Sequence, residues 1–289
     1  MAYGGIEAGG TKWVCAVGDG DGVLTESVSF PTTEPQQTLE RAIEFFATQA
    51  DLQGIGVAAF GPVDVRRNSA EYGHIAATPK PGWAHFDLLT PLRERFGVPV
   101  AIDTDVNAAA LAEGRWGSGR GLENFVYVTV GTGIGGGLVV GGQPVHGLLH
   151  PELGHMRIPH NRERDPFPGC CPFHGDCLEG LASGEAMRQR HGIRAEQLQD
   201  DAAWELEADY LASAFTNIFY TVSTERIIVG GGVPQRPGLL EMVRERVRAL
   251  VAGYPDAEGV AEWLSADEFI VAPGLEGQAG ALGAIALVS

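Results

Sequence analysis

Two short stretches of glycine and threonine carry the clearest chemical signal in this chain. Glu7-Ala8-Gly9-Gly10-Thr11-Lys12 breaks an apolar run that begins at Tyr3 and resumes at Trp13. Gly131-Thr132-Gly133-Ile134-Gly135-Gly136-Gly137 does the same between Phe125–Val130 and Leu138-Val139-Val140. A strand, a turn of glycine and threonine, and a second strand set backbone N–H groups and a hydroxyl at a tip that no Cβ atom shields. Such a tip can wrap an anion, and two facing tips can hold a polyphosphate between them. Either stretch alone reads equally well as an ordinary hairpin; the repetition points to phosphate. Lys12 and Lys80 are the only lysines, against eighteen arginines, so a lysine kept beside the first turn suits an anion there.

Asp103-Thr104-Asp105 closes the apolar strand 98–102 just where a helix over 106–116 is predicted, a position that presents side chains into a cleft. A carboxylate there can take the proton of a hydroxyl attacking phosphorus, because that hydroxyl turns acidic as the new bond forms. Spacing alone leaves Asp103 and Asp105 in competition, and Asp105 could simply cap the helix. A second constellation reads as metal chemistry. Cys171-Pro172-Phe173-His174-Gly175-Asp176-Cys177 spaces three soft ligands at intervals of three, and His155 lies sixteen residues upstream. One imidazole and Cys-x-x-His-x-x-Cys fill four tetrahedral positions with no vacancy, which is the structural zinc arrangement. Cys170 competes with Cys171, and free thiols beside a bystander histidine are the alternative to a metal site. Glu152 and Glu179 flank this knot, which would fix their carboxylates. Cys15 lies in a strand and reads as core. Gly230-Gly231-Gly232-Val233-Pro234 follows the strand 226–229, and its glycines would let the backbone lie flat against a base or ribose.

These groups need a scaffold. The chain has 289 residues, 44% hydrophobic and 20% charged, enough for two cores. A net charge of −17 argues against nucleic acid or an anionic membrane as partner, since both require clustered cations. A nucleotide would then be held by local N–H groups and a metal. No early segment combines a basic start with an apolar run, which places the protein in the cytoplasm and argues against structural disulfides. The apolar tail 281–288 is too short to span a bilayer. Strands are predicted at 3–8, 11–18, 23–30, 54–60, 98–102, 125–130, 226–229 and 269–272. Helices are predicted near 35–51, 86–96, 106–116, 201–223 and 238–252 and at the C-terminus, with Pro79, Pro81 and Gly82 in the connection before the second. This alternation is the signature of α/β layers, and the second glycine hairpin restarts it like an internal duplication. A boundary near 117–121 gives domains 1–118 and 119–275, the latter with the zinc loop 155–177, and a last helix at about 276–289 packing back on the first.

The motifs together resemble the ROK family (repressor, open reading frame, kinase), most closely its bacterial zinc-containing fructokinases. The likeness rests on Glu7–Lys12, Gly61-Pro62-Val63-Asp64, Lys80-Pro81-Gly82-Trp83, Asp103-Thr104-Asp105-Val106-Asn107, Gly131–Gly137, Glu152-Leu153-Gly154-His155, Cys171–Glu179 and Gly230-Gly231-Gly232. It therefore spans the whole chain. It implies an actin-like ATPase fold (sugar kinase/Hsp70-type, ribonuclease H-like), two α/β domains around a cleft, and a homodimer. By resemblance Asp105 is the general base, and Asn107, Glu152, Glu179, Gly82 and Trp83 contact a sugar, although Trp83 reads equally well as a core aromatic. Glu7, Gly9, Gly10, Thr11, Lys12, Gly131, Thr132 and Gly133 would hold ATP phosphates and Mg²⁺, and Gly230–Pro234 the adenosine. Many relatives carry Asp where this chain has Glu7, which leaves the Mg²⁺ geometry open. Cys171 rather than Cys170 matches the family spacing, and His174 points to the fructokinase subgroup. The implied reaction is ATP-dependent phosphorylation of D-fructose to D-fructose 6-phosphate. Glucose, mannose or N-acetylated amino sugars are alternative substrates. A non-catalytic sugar sensor or a repressor is the alternative of another class, which the acidic balance and intact motifs disfavour.

Overall fold

The computed structural model describes every residue except Pro79, Ala266 and Glu276, and only the backbone of Ser265. Pro79 of the predicted connection and Glu276 at the predicted start of the last helix thus lie outside the described residues. The chain divides into two units, one comprising Met1–Gly121, Pro144–Pro151 and Gly274–Ser289, the other Leu122–Gln143 and Glu152–Pro273.

In the first unit, β1 (Ala2–Ala8), β2 (Lys12–Gly18), β3 (Leu24–Pro31), β4 (Leu52–Ala59) and β5 (Val100–Thr104) form one sheet in the order β3-β2-β1-β4-β5. β1 and β2 pair antiparallel, ending at Ala8↔Trp13, so residues 9–11 make the tip of the hairpin. β4 then joins β1, and β5 joins β4, both in parallel. α1 (Pro35–Ala47) opens on a proline, whose missing N–H costs nothing in a first turn, and buries Leu39, Ala42 and Phe46. α2 (Thr90–Phe96) starts later than the predicted 86. The Asp87 carboxylate accepts the N–H groups of Leu89 and Thr90 at 2.9 and 3.0 Å, a cap-like turn that sets the entry to the helix beyond residue 87. α3 (Asp105–Trp116) follows β5 directly. The core of this unit centres on Trp13 and Trp83, both fully buried with ring centroids 5.8 Å apart.

The second unit repeats the plan. β6 (Phe125–Val130) and β7 (Ile134–Val140) form an antiparallel hairpin, β8 (Gln143–Pro144) lies beyond β7, and β9 (Arg226–Gly230) and β10 (Ile270–Val271) join on the other side. The order β8-β7-β6-β9-β10 matches β3-β2-β1-β4-β5 position for position, and β9 is parallel to both β6 and β10. α4 (Leu178–Ala182) and α5 (Gly184–His191) share Ser183 as cap. The long α6 (Asp201–Val222) buries Trp204, Leu211, Phe215 and Ile218 in a core with Val128 of β6 and Val229 of β9. α7 (Leu239–Val251) and α8 (Val260–Ser265) precede β10.

The last helix, α9 (Ala279–Ala286), packs on β1 and β4 of the first unit. Gly56 permits this approach, because a Cβ there would lie 1.7 Å from the Ala284 carbonyl oxygen. Residues 144–151 also belong to the first unit, pinned where His150 Nε2 accepts the Val63 N–H at 3.3 Å. Among the described residues no helix is long and apolar enough to cross a membrane.

Candidate active site

The tip between β1 and β2 has its carbonyls committed. Gly9 C=O accepts from the Thr32 hydroxyl at 2.7 Å, Gly10 C=O from the Lys80 ammonium, Thr11 C=O from the Thr32 N–H at 2.9 Å, and Lys12 C=O from the Gly9 N–H at 3.1 Å. In a trans peptide the C=O and the following N–H point in opposite directions. Holding the carbonyls of Gly9 and Gly10 therefore turns the N–H groups of Gly10 and Thr11 outward together, and no acceptor for either occurs among the described residues. Gly10, Thr11 and Lys12 are exposed. Glu7, on β1, is half-buried and packs against Gly280 at the start of α9. Burial raises its pKa, and the nearby Lys12 ammonium pulls it the other way.

At the β5–α3 junction the cap is Thr104, whose hydroxyl accepts the Asn107 N–H at 3.1 Å. Asp105 is the first helical residue, half-buried, and accepts the Val106 N–H at 2.9 Å. The capping alternative for Asp105 thus falls to its neighbour. Asp103 is buried: one carboxylate oxygen accepts from Thr104 N–H at 2.7 Å and Asn107 Nδ2 at 2.8 Å, the other pairs with His146 Nε2 at 2.9 Å. That hydrogen bond raises the His146 pKa. Asn107 is buried with its amide committed to Asp103, so its recorded contacts orient the junction. Gly82 is exposed, while Trp83 is sealed among Trp13, Phe60 and Phe86 with its indole N–H on Thr33 C=O at 3.1 Å.

In the second unit the β6–β7 tip is built to the same rule with different parts. Gly131 C=O accepts the Gly184 N–H at 2.7 Å, Thr132 C=O the Glu185 N–H at 3.3 Å, and Gly133 C=O the Gly131 N–H at 2.9 Å. The N–H groups of Thr132 and Gly133 have no acceptor among the described residues. Gly131, Thr132, Gly184, Gly232 and Val233 line one cavity of about 470 Å³, with Arg188 and Arg194 at its wall. Gly231 has φ 99° and sits so close to the end of β6 that a Cβ would lie 2.3 Å from Val130 O, which brings the Gly230–Pro234 turn beside the glycine tip.

Glu179, on α4, is half-buried and accepts the Ile134 N–H through Oε2 at 3.0 Å. Glu152 is exposed at the start of the 3-10 turn Leu153–His155. Between them lie His155, Cys171, His174 and Cys177, whose ligand atoms all fall within 4.8 Å of one another. Three sulfur–nitrogen edges measure 3.6–3.8 Å. Tetrahedral zinc with its usual bond lengths to sulfur and nitrogen puts such edges at about 3.6 Å, so the donor set fits that ion. Burial pushes the Cys177 thiol up, and its thiolate would need a cation to persist there.

His146, Arg188 and Arg194 had no motif spacing to single them out, and Lys80 stood in the Lys80-Pro81-Gly82-Trp83 motif without a role; only the fold brings them to these places. Two units with this repeated strand order define the actin-like ATPase class. The ROK family profile matches residues 3–289, and the chain belongs to the ROK family. It is 45% identical over 294 residues to a fructokinase of Zymomonas mobilis, covering 99% of this chain and 95% of that protein. Its fold is similar to a ROK hexokinase from Thermus thermophilus, with TM-score 0.83, 28% identity and coverage of 100% of this chain and 98% of that one. A ROK glucokinase from Streptomyces griseus, solved with glucose and AMPPNP, matches with TM-score 0.75 at 25% identity, covering 100% of this chain and 99% of that one.

Proposed function

We propose that this protein is an ATP-dependent hexose kinase that converts D-fructose to D-fructose 6-phosphate. The observation that carries the reading is that both glycine tips spend their carbonyls on protein donors and leave consecutive N–H groups with no acceptor among the described residues, as an anion requires. Gly9–Lys12 and Gly131–Gly133 hold the phosphates, and the Gly230–Pro234 turn with its adjoining cavity takes the adenosine. Glu7 would help hold Mg²⁺, which when bound would neutralise phosphate charge. Asp105 accepts the proton of the sugar's primary hydroxyl as oxygen bonds to phosphorus, while Asp103, Asn107 and His146 hold the junction that carries it. Glu152 and Glu179 accept hydrogen bonds from other sugar hydroxyls, Glu179 keeping one carboxylate oxygen for that purpose. Zinc on His155, Cys171, His174 and Cys177 would cross-link the loop between these glutamates. It would serve as a structural ion.

Fructose is favoured among hexoses by the similarity to a fructokinase over nearly the whole chain. We place the enzyme in the cytoplasm, where ATP is held, and carry a homodimer as part of the reading from the family resemblance. The test is ADP release with ATP and a panel of fructose, glucose, mannose and N-acetylmannosamine. The expected result is the highest kcat/KM with fructose, by about tenfold or more. A faster rate with another hexose would reassign the substrate, and no ATP-dependent turnover with any would overturn the kinase reading.

A further inference from the structure

The chain reserves lysine for one place. Of its two lysines, Lys12 sits in the first glycine tip and Lys80 reaches the same tip from sixty-eight residues away in sequence, donating to Gly10 C=O. The eighteen other fixed cations are arginines. The main chain of Lys80 is tied locally: Lys80 N–H lies 3.4 Å from Thr78 Oγ1, and Lys80 C=O accepts the Trp83 N–H at 3.2 Å, next to the sealed indole. Thr32, the other pin of the tip, is neutral and takes Gly9 C=O. At the second tip the corresponding carbonyls are held by backbone N–H groups, with no lysine involved.

We propose that Lys80 is a positioning residue for the nucleotide: it pins the Gly10–Thr11 peptide so that the Thr11 N–H meets phosphate, and adds positive charge at that tip. Lys80 acts through the turn. The planar peptide transmits the constraint, because fixing Gly10 C=O fixes the direction of Thr11 N–H. An ammonium fits this task because it carries its donors on a flexible stem long enough to reach Gly10 C=O. In a protein of net charge −17 a local cation also offsets the repulsion that a polyphosphate meets. The inference rests on the kinase reading above and concerns only the nucleotide.

The test compares Lys80→Met, Lys80→Gln and Lys80→Arg with the wild-type protein. AMPPNP binding is measured by calorimetry without sugar, and steady-state rates are measured with ATP and fructose. Lys80→Met is expected to weaken AMPPNP about tenfold and to raise the KM for ATP similarly, while the KM for fructose stays within about twofold and the melting temperature is unchanged. Lys80→Arg, which keeps charge and donors, should recover most of the loss, and Lys80→Gln little of it. AMPPNP affinity within twofold of wild type in Lys80→Met would overturn the proposal, as would a change confined to fructose. Should Lys80→Met not fold, Lys80→Gln decides on the same thresholds. If wild type phosphorylates no hexose, the kinase reading fails, while the AMPPNP ratio still tests Lys80.

Discussion

At the β1–β2 tip the carbonyls of Gly9 and Gly10 are held by a threonine hydroxyl and a lysine ammonium; at the β6–β7 tip those of Gly131 and Thr132 are held by the N–H groups that open α5. The two sheets share one strand order, so the same hairpin occupies the same place in each unit. The sheets then end differently. β5 runs into Asp103-Thr104-Asp105, whereas β10 runs into Ala272-Pro273-Gly274, which carries no titratable group. The first unit thus adds a carboxylate to a tip pinned by side chains, and the second adds a cavity to a tip pinned by backbone. Each tip should therefore fail in its own way. A side-chain pin can be deleted, while a backbone pin can only be displaced by steric intrusion.

Gly133→Ala should have the largest effect of the substitutions that probe this contrast. Its Cβ would lie 2.6 Å from Glu179 Oε2, dislodging the carboxylate from Ile134 N–H, and kcat/KM for fructose should fall about 100-fold. Next comes the metal knot, which has no counterpart among the described residues of the first unit. Elemental analysis should find about one zinc per chain, and Cys177→Ser should lose it and lower the melting temperature by about 10 °C. Gly10→Ala meets no atom within 4 Å, so its melting temperature should match wild type while the KM for ATP rises about fivefold, a pattern set only by what approaches the tip from outside. Equal losses in Gly10→Ala and Gly133→Ala would erase the distinction between the tips.

The smallest expected effect lies in the cores. Buried Glu113 in the first unit accepts N–H groups of Ser118, Gly274 and Leu275 at 2.7, 2.9 and 3.1 Å. Glu207 in the second is equally buried, but neither of its oxygens has a hydrogen-bond partner among the described residues. Burial raises the Glu207 pKa well above the usual carboxylate range. The folded state then holds a proton that the unfolded chain releases, so stability falls as pH climbs above the unfolded value near 4.5. Glu207→Gln should therefore melt a few degrees higher at about pH 8, with the gap closing toward pH 5. A constant gap across that range would contradict the assignment.

Much of this was legible in the sequence because the patterns are local. The glycine hairpins, the alternation of strand and helix and the Cys-x-x-His-x-x-Cys spacing each lie within a few residues. Asp105 was legible as the start of a helix, although its distinction from a capping residue needed Thr104 to be seen in that job. What stayed hidden depends on chain reversal over long separations. His146 meets Asp103 across forty-three residues, and Arg188 and Arg194 reach the cavity beside the second glycine tip only because α5 folds against that tip. The shift in the start of α2 had a local cause, the Asp87 side chain accepting the backbone N–H groups at the helix entry, a cap that apolar periodicity does not register.

The role of Asp105 as the group that takes the hexose proton is probed most directly by Asp105→Asn, examined for binding and turnover together. Asparagine keeps the size and the hydrogen-bonding oxygen but cannot accept the proton. The account predicts fructose affinity within about threefold of wild type and kcat lower by about a thousandfold or more. Turnover within tenfold of wild type, or loss of fructose binding in step with turnover, would contradict it.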